Sequence, residues 1–412
     1  MPCMRRIFFI LLGCILTISI YAASDSLRNI EPRAASRFPL VHQLGFDLRA
    51  AYIAPTNQFL RGNNATGNPV NKAFSAHLKY AFRFNPNSYE GKVYRDAYQG
   101  VGLSFNSFQR PHELGSPIGI YLFQGSPIVR FNPHLSLNYE WNFGVSFGWK
   151  PHDYTSNPYN RVIGSRTNAY LNANFYLDWR LSPYWHVMAG ADFTHYSNGN
   201  TNFPNAGLNT IGARIGLAYI LNPDKEPDTP HSGLMPVRFQ KHVSYDLILF
   251  GSWRRKGIML DDNKGVASPD RYTVLGFNFM PLYNFCPRFR AGISLDGIYD
   301  SSASAYIKNE AVAIGESAEL TIVRPPRRYQ YALGLSARAE YVMPYFSVNV
   351  GIGANALYLS HDFRGCYQIL ALKISMTRSL FLHIGYNLQN FHNPNYLMLG
   401  IGYRFNNRRT IL

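Results

Sequence analysis

In the run FTHYSNGNTNFPNAGLN, residues 193–209, an imidazole (His195) and a hydroxyl (Ser197) stand two positions apart, and a third polar group, Asn209, follows. On a strand, positions i and i+2 share a face with Cα atoms about 6.6 Å apart, close enough for an imidazole to reach a hydroxyl. A serine beside a histidine base, with a further group to hold the imidazole, is what nucleophilic acyl transfer requires. Spacing alone leaves simpler readings open: SNG is ordinary turn text, and a histidine near a bilayer boundary can anchor to headgroups. Trp185, Val187, Ala189, Ala191 and Phe193 share the face of His195 and Ser197, while His186, Gly190, Asp192, Thr194 and Tyr196 take the other. Asn209 lies with Ile211, Ala213, Ile215, Leu217 and Tyr219, opposite Thr210, Gly212, Arg214 and Gly216. Three polar groups therefore emerge on the apolar face of one hairpin. If that face meets lipid, leaving them there costs free energy.

The elements that must position them are written as strict alternation. Leu137, Tyr139, Trp141, Phe143, Val145, Phe147 and Trp149 alternate with Ser136, Asn138, Glu140, Asn142, Gly144, Ser146 and Gly148. The same period of two runs through 168–179, 333–340 and 397–405, giving each strand one apolar face and one polar or small one. Runs of about 10 residues suit a tilted strand crossing a bilayer, and Trp and Tyr near their ends suit interfacial girdles. Aromatic residues at 15%, with Tyr 29, Phe 28, Gly 33 and charged residues at 16%, favour many strands joined by turns. Arg5 and Arg6, the apolar run Ile7–Ile20 and small residues at Ala22, Ala23 and Ser24 read as a secretory leader at 1–23. No later segment approaches the roughly 18 uninterrupted apolar residues of a spanning helix. With export implied, the net charge of +16 points to an anionic membrane surface or glycolipid and away from nucleic acid.

Connections alternate between short turns (131–135, 180–185, 284–289, 342–346, 377–380) and longer polar loops (55–71, 108–116, 150–164, 197–206, 255–270, 301–326, 359–365). Outer-membrane barrels pair short periplasmic turns with long external loops, which puts the His195–Ser197 end outside. The expected fold is all-β: a transmembrane antiparallel barrel of about sixteen strands, with two tandem eight-stranded barrels as the alternative. The expected divisions are a leader (1–23), a periplasmic segment (24–39), a first half carrying the candidate site (40–222), a periplasmic connection (223–240), a second half (241–405) and a tail (406–412). Residues 197–220 and 388–405 echo one another weakly across the halves. Cys286 and Cys366, the two cysteines beyond the leader, fall at opposite ends of the strand map and are expected to be unpaired.

HYSNGNTNFPNAGLN resembles the signature of the PagL-type lipid A deacylases, outer-membrane barrels that remove an ester-linked acyl chain from lipopolysaccharide. The resemblance implies a base at His195, a nucleophile at Ser197 and oxyanion stabilisation by Asn198, with backbone help near Gly199. The family's acidic residue falls on Asn209, a departure: an amide oxygen can orient an imidazole but cannot stabilise imidazolium as a carboxylate does. The family fold of eight strands covers residues 40–222, whereas the second half has no evident counterpart and its echo lacks His-x-Ser.

The expectation is an outer-membrane esterase acting on lipid A of lipopolysaccharide, embedded in the membrane, with neither cofactor nor metal. Arg61, Arg110 and Arg161, in the external loops, are candidates to hold lipid A phosphates, although solvated loop charges explain them too. The competing function is a pore or scaffold with a vestigial site, since sixteen strands in one ring would enclose water.

Overall fold

A computed structural model describes residues 40–408 apart from 87, 224–238, 256, 262–263, 268–269, 308–321, 324 and 392. The expected leader, the 24–39 segment and most of the 223–240 connection lie outside the described residues. Eight antiparallel strands form a first closed barrel: β1 (Val41–Ile53), β2 (Lys72–Arg83), β3 (Tyr98–Ser107), β4 (Gly115–Asn132), β5 (Leu135–Trp149), β6 (Thr167–Arg180), β7 (Trp185–Ser197) and β8 (Leu208–Ile220). A short helix, α1 (Tyr89–Tyr94), capped by the Ser88 side chain accepting from the Gly91 N–H, interrupts the β2–β3 connection.

The chain then repeats the plan. β9 (His242–Arg254) leads into a two-stranded ribbon of β10 (Gly257–Asp261) and β11 (Lys264–Ala267), then β12 (Tyr272–Cys286) and β13 (Phe289–Asp300). A second small ribbon, β14 (Tyr306–Ile307) with β15 (Ile322–Val323), precedes β16 (Tyr331–Val342), β17 (Phe346–Tyr358), β18 (Cys366–Ser375), β19 (Leu380–Gln389) and β20 (Asn393–Phe405). Here β20 pairs back to β9, and a second eight-stranded barrel closes.

The single sixteen-stranded ring is thereby corrected in favour of the tandem alternative. The reason lies in the pairing of β8, which returns to β1 with Leu48 opposite Ile215 and Ala50 opposite Ala213. Alternation along a strand counts strands and assigns faces, but it does not say which strand closes on which. Alternation survives along most of each strand but fails at Trp149, expected on the outer face with Phe147: Gly148, at φ +92°, turns the chain so that the indole is buried against Phe108 and Tyr196. Asp47 and Arg49 are 0% and 4% exposed inside the barrel, whereas their neighbours Phe46 and Leu48 are 41% and 51% exposed on its outer face.

Eight strands leave an interior that side chains just fill, and here charges fill it. In the first barrel Asp47 pairs with Arg214 at 2.9 Å and with Arg49 and Lys79 at 3.2 Å, while Glu140 pairs with Lys79 at 2.8 Å and Arg214 at 3.3 Å. The second barrel repeats the chemistry from other positions: Lys373 lies 2.8 Å from Asp246 and 2.5 Å from Glu340, and Arg404 joins both acids. Each cation faces a carboxylate, which is the condition under which buried charge is tolerated. Above this network in the first barrel the external loops add an apolar plug, including Phe59, Leu60, Phe108, Leu114, Val162 and Ile163.

The barrels touch through their outer faces. Met343, Phe346 and Leu372 of the second form a cluster with Leu122, Trp141 and Phe143 of the first, and the Trp141 and Phe346 rings meet edge to face at 5.7 Å. Tyr345 adds aromatic contacts to Phe82 and Phe84. Cys286 and Cys366 are free thiols at opposite ends of the second barrel.

Candidate functional site

β7 and β8 pair with His195 directly opposite Asn209 and Phe193 opposite Ile211. Phe193 and Ile211 are 46% and 47% exposed on the outer face, and Tyr196, of opposite parity, is buried inward. His195 and Ser197 share the parity of Phe193, and both are half-buried where the strand meets the external loop. On β6 their neighbours are Leu171 and Ala169.

The His195 Nδ1 and Asn209 Oδ1 lie 2.6 Å apart. An amide oxygen can only accept, so Nδ1–H donates to it and the Nε2 lone pair is left for another proton. This is the tautomer a general base needs. Gly207 borders both groups: a Cβ built there would stand 3.1 Å from His195 Cε1 and 3.8 Å from Ser197 Cβ, and its φ of +71° favours glycine. A hairpin loop thus folds back over the strand end, tied by the Gly207 N–H to the Val162 carbonyl at 3.3 Å.

The two residues after Ser197 have different surroundings. Asn198 is buried, its N–H donating to Asn205 Oδ1 at 3.0 Å and its Nδ2 to the Asn202 carbonyl at 3.1 Å. Its carbonyl accepts from the Thr201 hydroxyl at 2.8 Å. Gly199 adopts φ +63° and lies against Leu397 of the second barrel. Asn205 and Gly207 were missed in the sequence, where PNAG reads as loop punctuation. The usable signal was the density of amides, since Asn side chains hydrogen-bond nearby backbone and tolerate left-handed conformations.

The three arginines all lie at the external end but are not equivalent. Arg61 donates through Nε to the Pro55 carbonyl at 3.2 Å, and the adjoining Ala54 N–H donates to the Asn209 carbonyl at 2.9 Å. Arg161 is exposed and adjoins Val162, whose carbonyl receives the Gly207 N–H. Arg110 belongs to the loop lattice, 3.9 Å from Glu113, which in turn accepts from the Ala65 N–H. Among the described residues no group of three or more His, Cys, Asp or Glu side chains is disposed to hold a metal ion.

A closed antiparallel barrel with apolar side chains on its outer wall and charges inside is an outer-membrane β-barrel. Residues 73–218 match the family model of the lipid A 3-O-deacylases (PagL), and residues 243–407 match that of the acyloxyacyl hydrolase C-terminal domain. Together these matches span most of the chain, which belongs to the PagL lipid A 3-O-deacylase and acyloxyacyl hydrolase family and to the bacterial outer membrane. The second half, without an evident counterpart in the sequence, is thus a family domain in its own right.

No curated protein matches the chain. Among solved structures, the translocator domain of the autotransporter NalP from Neisseria meningitidis is similar at 8% identity, covering 95% of this chain and 97% of that one, with a TM-score of 0.15. The siderophore receptor PirA from Pseudomonas aeruginosa is similar at 7% identity over 90% of this chain and 81% of that one, with a TM-score of 0.22. A porin mutant of Rh. blastica follows at 8% identity, 89% and 100% coverage and a TM-score of 0.17. At such scores these likenesses carry no argument about topology or function.

Proposed function

We propose that the chain is a serine esterase of the outer leaflet that removes an ester-linked acyl chain from lipid A. The observation that carries this reading is the hydrogen bond from His195 Nδ1–H to Asn209 on the outer wall, with Ser197 two residues on along the same face. In the proposed reaction Ser197 Oγ attacks the ester carbonyl carbon while its proton passes to His195 Nε2. The tetrahedral intermediate collapses, the sugar oxygen leaves with the proton from His195, and an acyl-serine remains. Water, deprotonated by His195, then attacks that ester and releases the fatty acid. The oxyanion side of the site is the backbone that follows Ser197, at Asn198 and Gly199. Because the Asn198 N–H is engaged by Asn205, Gly199 N–H is the donor we assign. Arg61 and Arg161 are the residues we assign to lipid A phosphates, with Arg110, which lies 3.9 Å from Glu113, in a lesser role. The filled lumens give no support to a pore.

Mass spectrometry of lipid A from cells expressing the wild type or Ser197→Ala tests this directly. Loss of one acyl chain in the wild type alone is the expected result, and identical lipid A in both would sink the proposal.

The orienting amide makes a separate prediction. Asn209→Ala removes the acceptor for Nδ1–H and is expected to lower kcat on the order of 10²-fold. Asn209→Asp keeps the shape and adds the charge that favours imidazolium. It is expected to raise kcat. A rate for Asn209→Ala equal to wild type would show that the amide has no orienting role.

Gly207→Ala probes the fit of the loop over the pair. The added methyl would press within 3.1 Å of the imidazole, and a left-handed alanine itself costs about 1 kcal/mol. A kcat lowered about tenfold, with unchanged heat-modifiable gel mobility of the barrel, is expected.

A further inference from the structure

We propose that the second barrel is a positioning partner of this site, holding the backbone that follows Ser197 through a continuous chain of hydrogen bonds; the proposal rests on the esterase reading above. The chain starts in the second barrel's own interior. Asp300 lies 2.9 Å from Arg254 and holds Ser302, which accepts from Arg254 Nε at 2.9 Å. Arg254, fixed on two sides, donates to Asn395 Oδ1 at 2.5 Å, and the Asn395 Nδ2 donates to Asn387 at 3.0 Å.

The link then crosses between barrels. Asn200 Nδ2 donates to the Asn395 carbonyl at 3.3 Å, and the Arg255 N–H donates to the Asn200 carbonyl at 3.2 Å. Inside the loop, Asn205 Nδ2 donates to Asn200 Oδ1 at 3.1 Å, and Asn205 Oδ1 accepts the N–H of Asn198, the residue that follows Ser197.

Two features make the second barrel necessary to this arrangement. Gly199 and Asn200 are left-handed in succession, at φ +63° and +64°, a conformation that surroundings must hold. The surroundings at Gly199 are the wall of the second barrel: a Cβ there would meet Leu397 Cδ1 at 3.1 Å and Tyr386 Cε2 at 3.5 Å. The second barrel's own β19–β20 hairpin lacks His-x-Ser, so its contribution to the reaction is geometric. Asn200, Asn395 and Arg254 are thus positioning residues, and Leu397 and Tyr386 form a wall beside the site.

The test uses the full-length protein in detergent with lipopolysaccharide as substrate. Asn200→Gly keeps the left-handed backbone and deletes both side-chain links. Arg254→Met deletes the anchor on the far side and leaves Asp300 its bonds from Ser302. Each is expected to lower kcat about tenfold, as a slackened attack geometry does, with KM within about twofold. The double variant should be no slower than the worse single one, because both cut one chain. A nitroxide at Ala206→Cys, with Cys286 and Cys366 replaced by Ser, should give a narrower spectrum in both variants.

With an active wild type, kcat unchanged in both variants, or losses that multiply, would overturn the proposal. Should Arg254→Met fail to fold, Asn200→Gly decides by the same measures. If the wild type itself hydrolyses nothing, the esterase reading falls separately, and the nitroxide spectra decide the clamp: narrowing sustains it, and no change refutes it.

Discussion

Ser197→Ala is expected to reduce deacylation of lipopolysaccharide by the purified protein about 10⁴-fold or more, because the substitution deletes the atom that becomes covalently acylated. His195→Ala should cost nearly as much, and the double variant should be no slower than either. Residues that act as one unit lose their whole contribution at the first cut. The variants should still fold, since both side chains lie on the outer wall away from the buried ion pairs. Barrel folding is read from heat-modifiable gel mobility and activity from fatty acid release. A folded Ser197→Ala protein that releases fatty acid at the wild-type rate would remove the nucleophile from the mechanism.

The largest effect on stability is expected at the opposite face of the same wall. Asp47 is fully buried and within 3.2 Å of three cations, Arg49, Lys79 and Arg214. Asp47→Ala leaves those cations sharing Glu140 and Asp192. Removing one member of a buried charge network costs about 3–5 kcal/mol, because the remaining charges lose compensation. Urea unfolding of the barrel in detergent should show a correspondingly lower midpoint. Asp47→Asn, which keeps shape and hydrogen bonding but not charge, should be lowered too. Equal midpoints for wild type and both variants would mean that water in the lumen compensates the cations.

Legible and hidden features of the molecule divide along a physical line. Parity was legible because one wall must meet lipid and the other a polar interior. Val145 and Phe147 outward against Gly144 and Ser146 inward, or His195 with Phe193, follow from a period of two. The gathering of His195, Ser197 and Asn209 on one face of the hairpin also followed, since all three carry the parity of the apolar face, whereas the register that sets His195 opposite Asn209 did not. Closure was not legible. Whether Leu48 pairs with Ile215 of the same half or with a strand of the other depends on where the sheet curls, and each strand's pattern is the same in both cases.

The interior networks show the same limit. Asp47, Lys79 and Glu140 could each be assigned inward from the sequence, yet their convergence arises from the stagger of three different strands. The loop was least legible. The family resemblance makes Asn198 an oxyanion residue, whereas its N–H is taken by Asn205 seven positions on. That contact spans left-handed turns at Gly199 and Asn200, and Gly199 lies against Leu397, nearly two hundred residues away.

The central proposal is that the hydroxyl of Ser197, activated by His195, attacks an acyl ester from the outer wall of the first barrel. Incubation of the purified protein with a long-chain fluorophosphonate, followed by peptide mapping, measures this most directly. A single phosphonyl adduct on Ser197 that disappears in His195→Ala and blocks fatty acid release is the expected result. Fatty acid release that continues with Ser197 unmodified, or an adduct on a different serine, would contradict it.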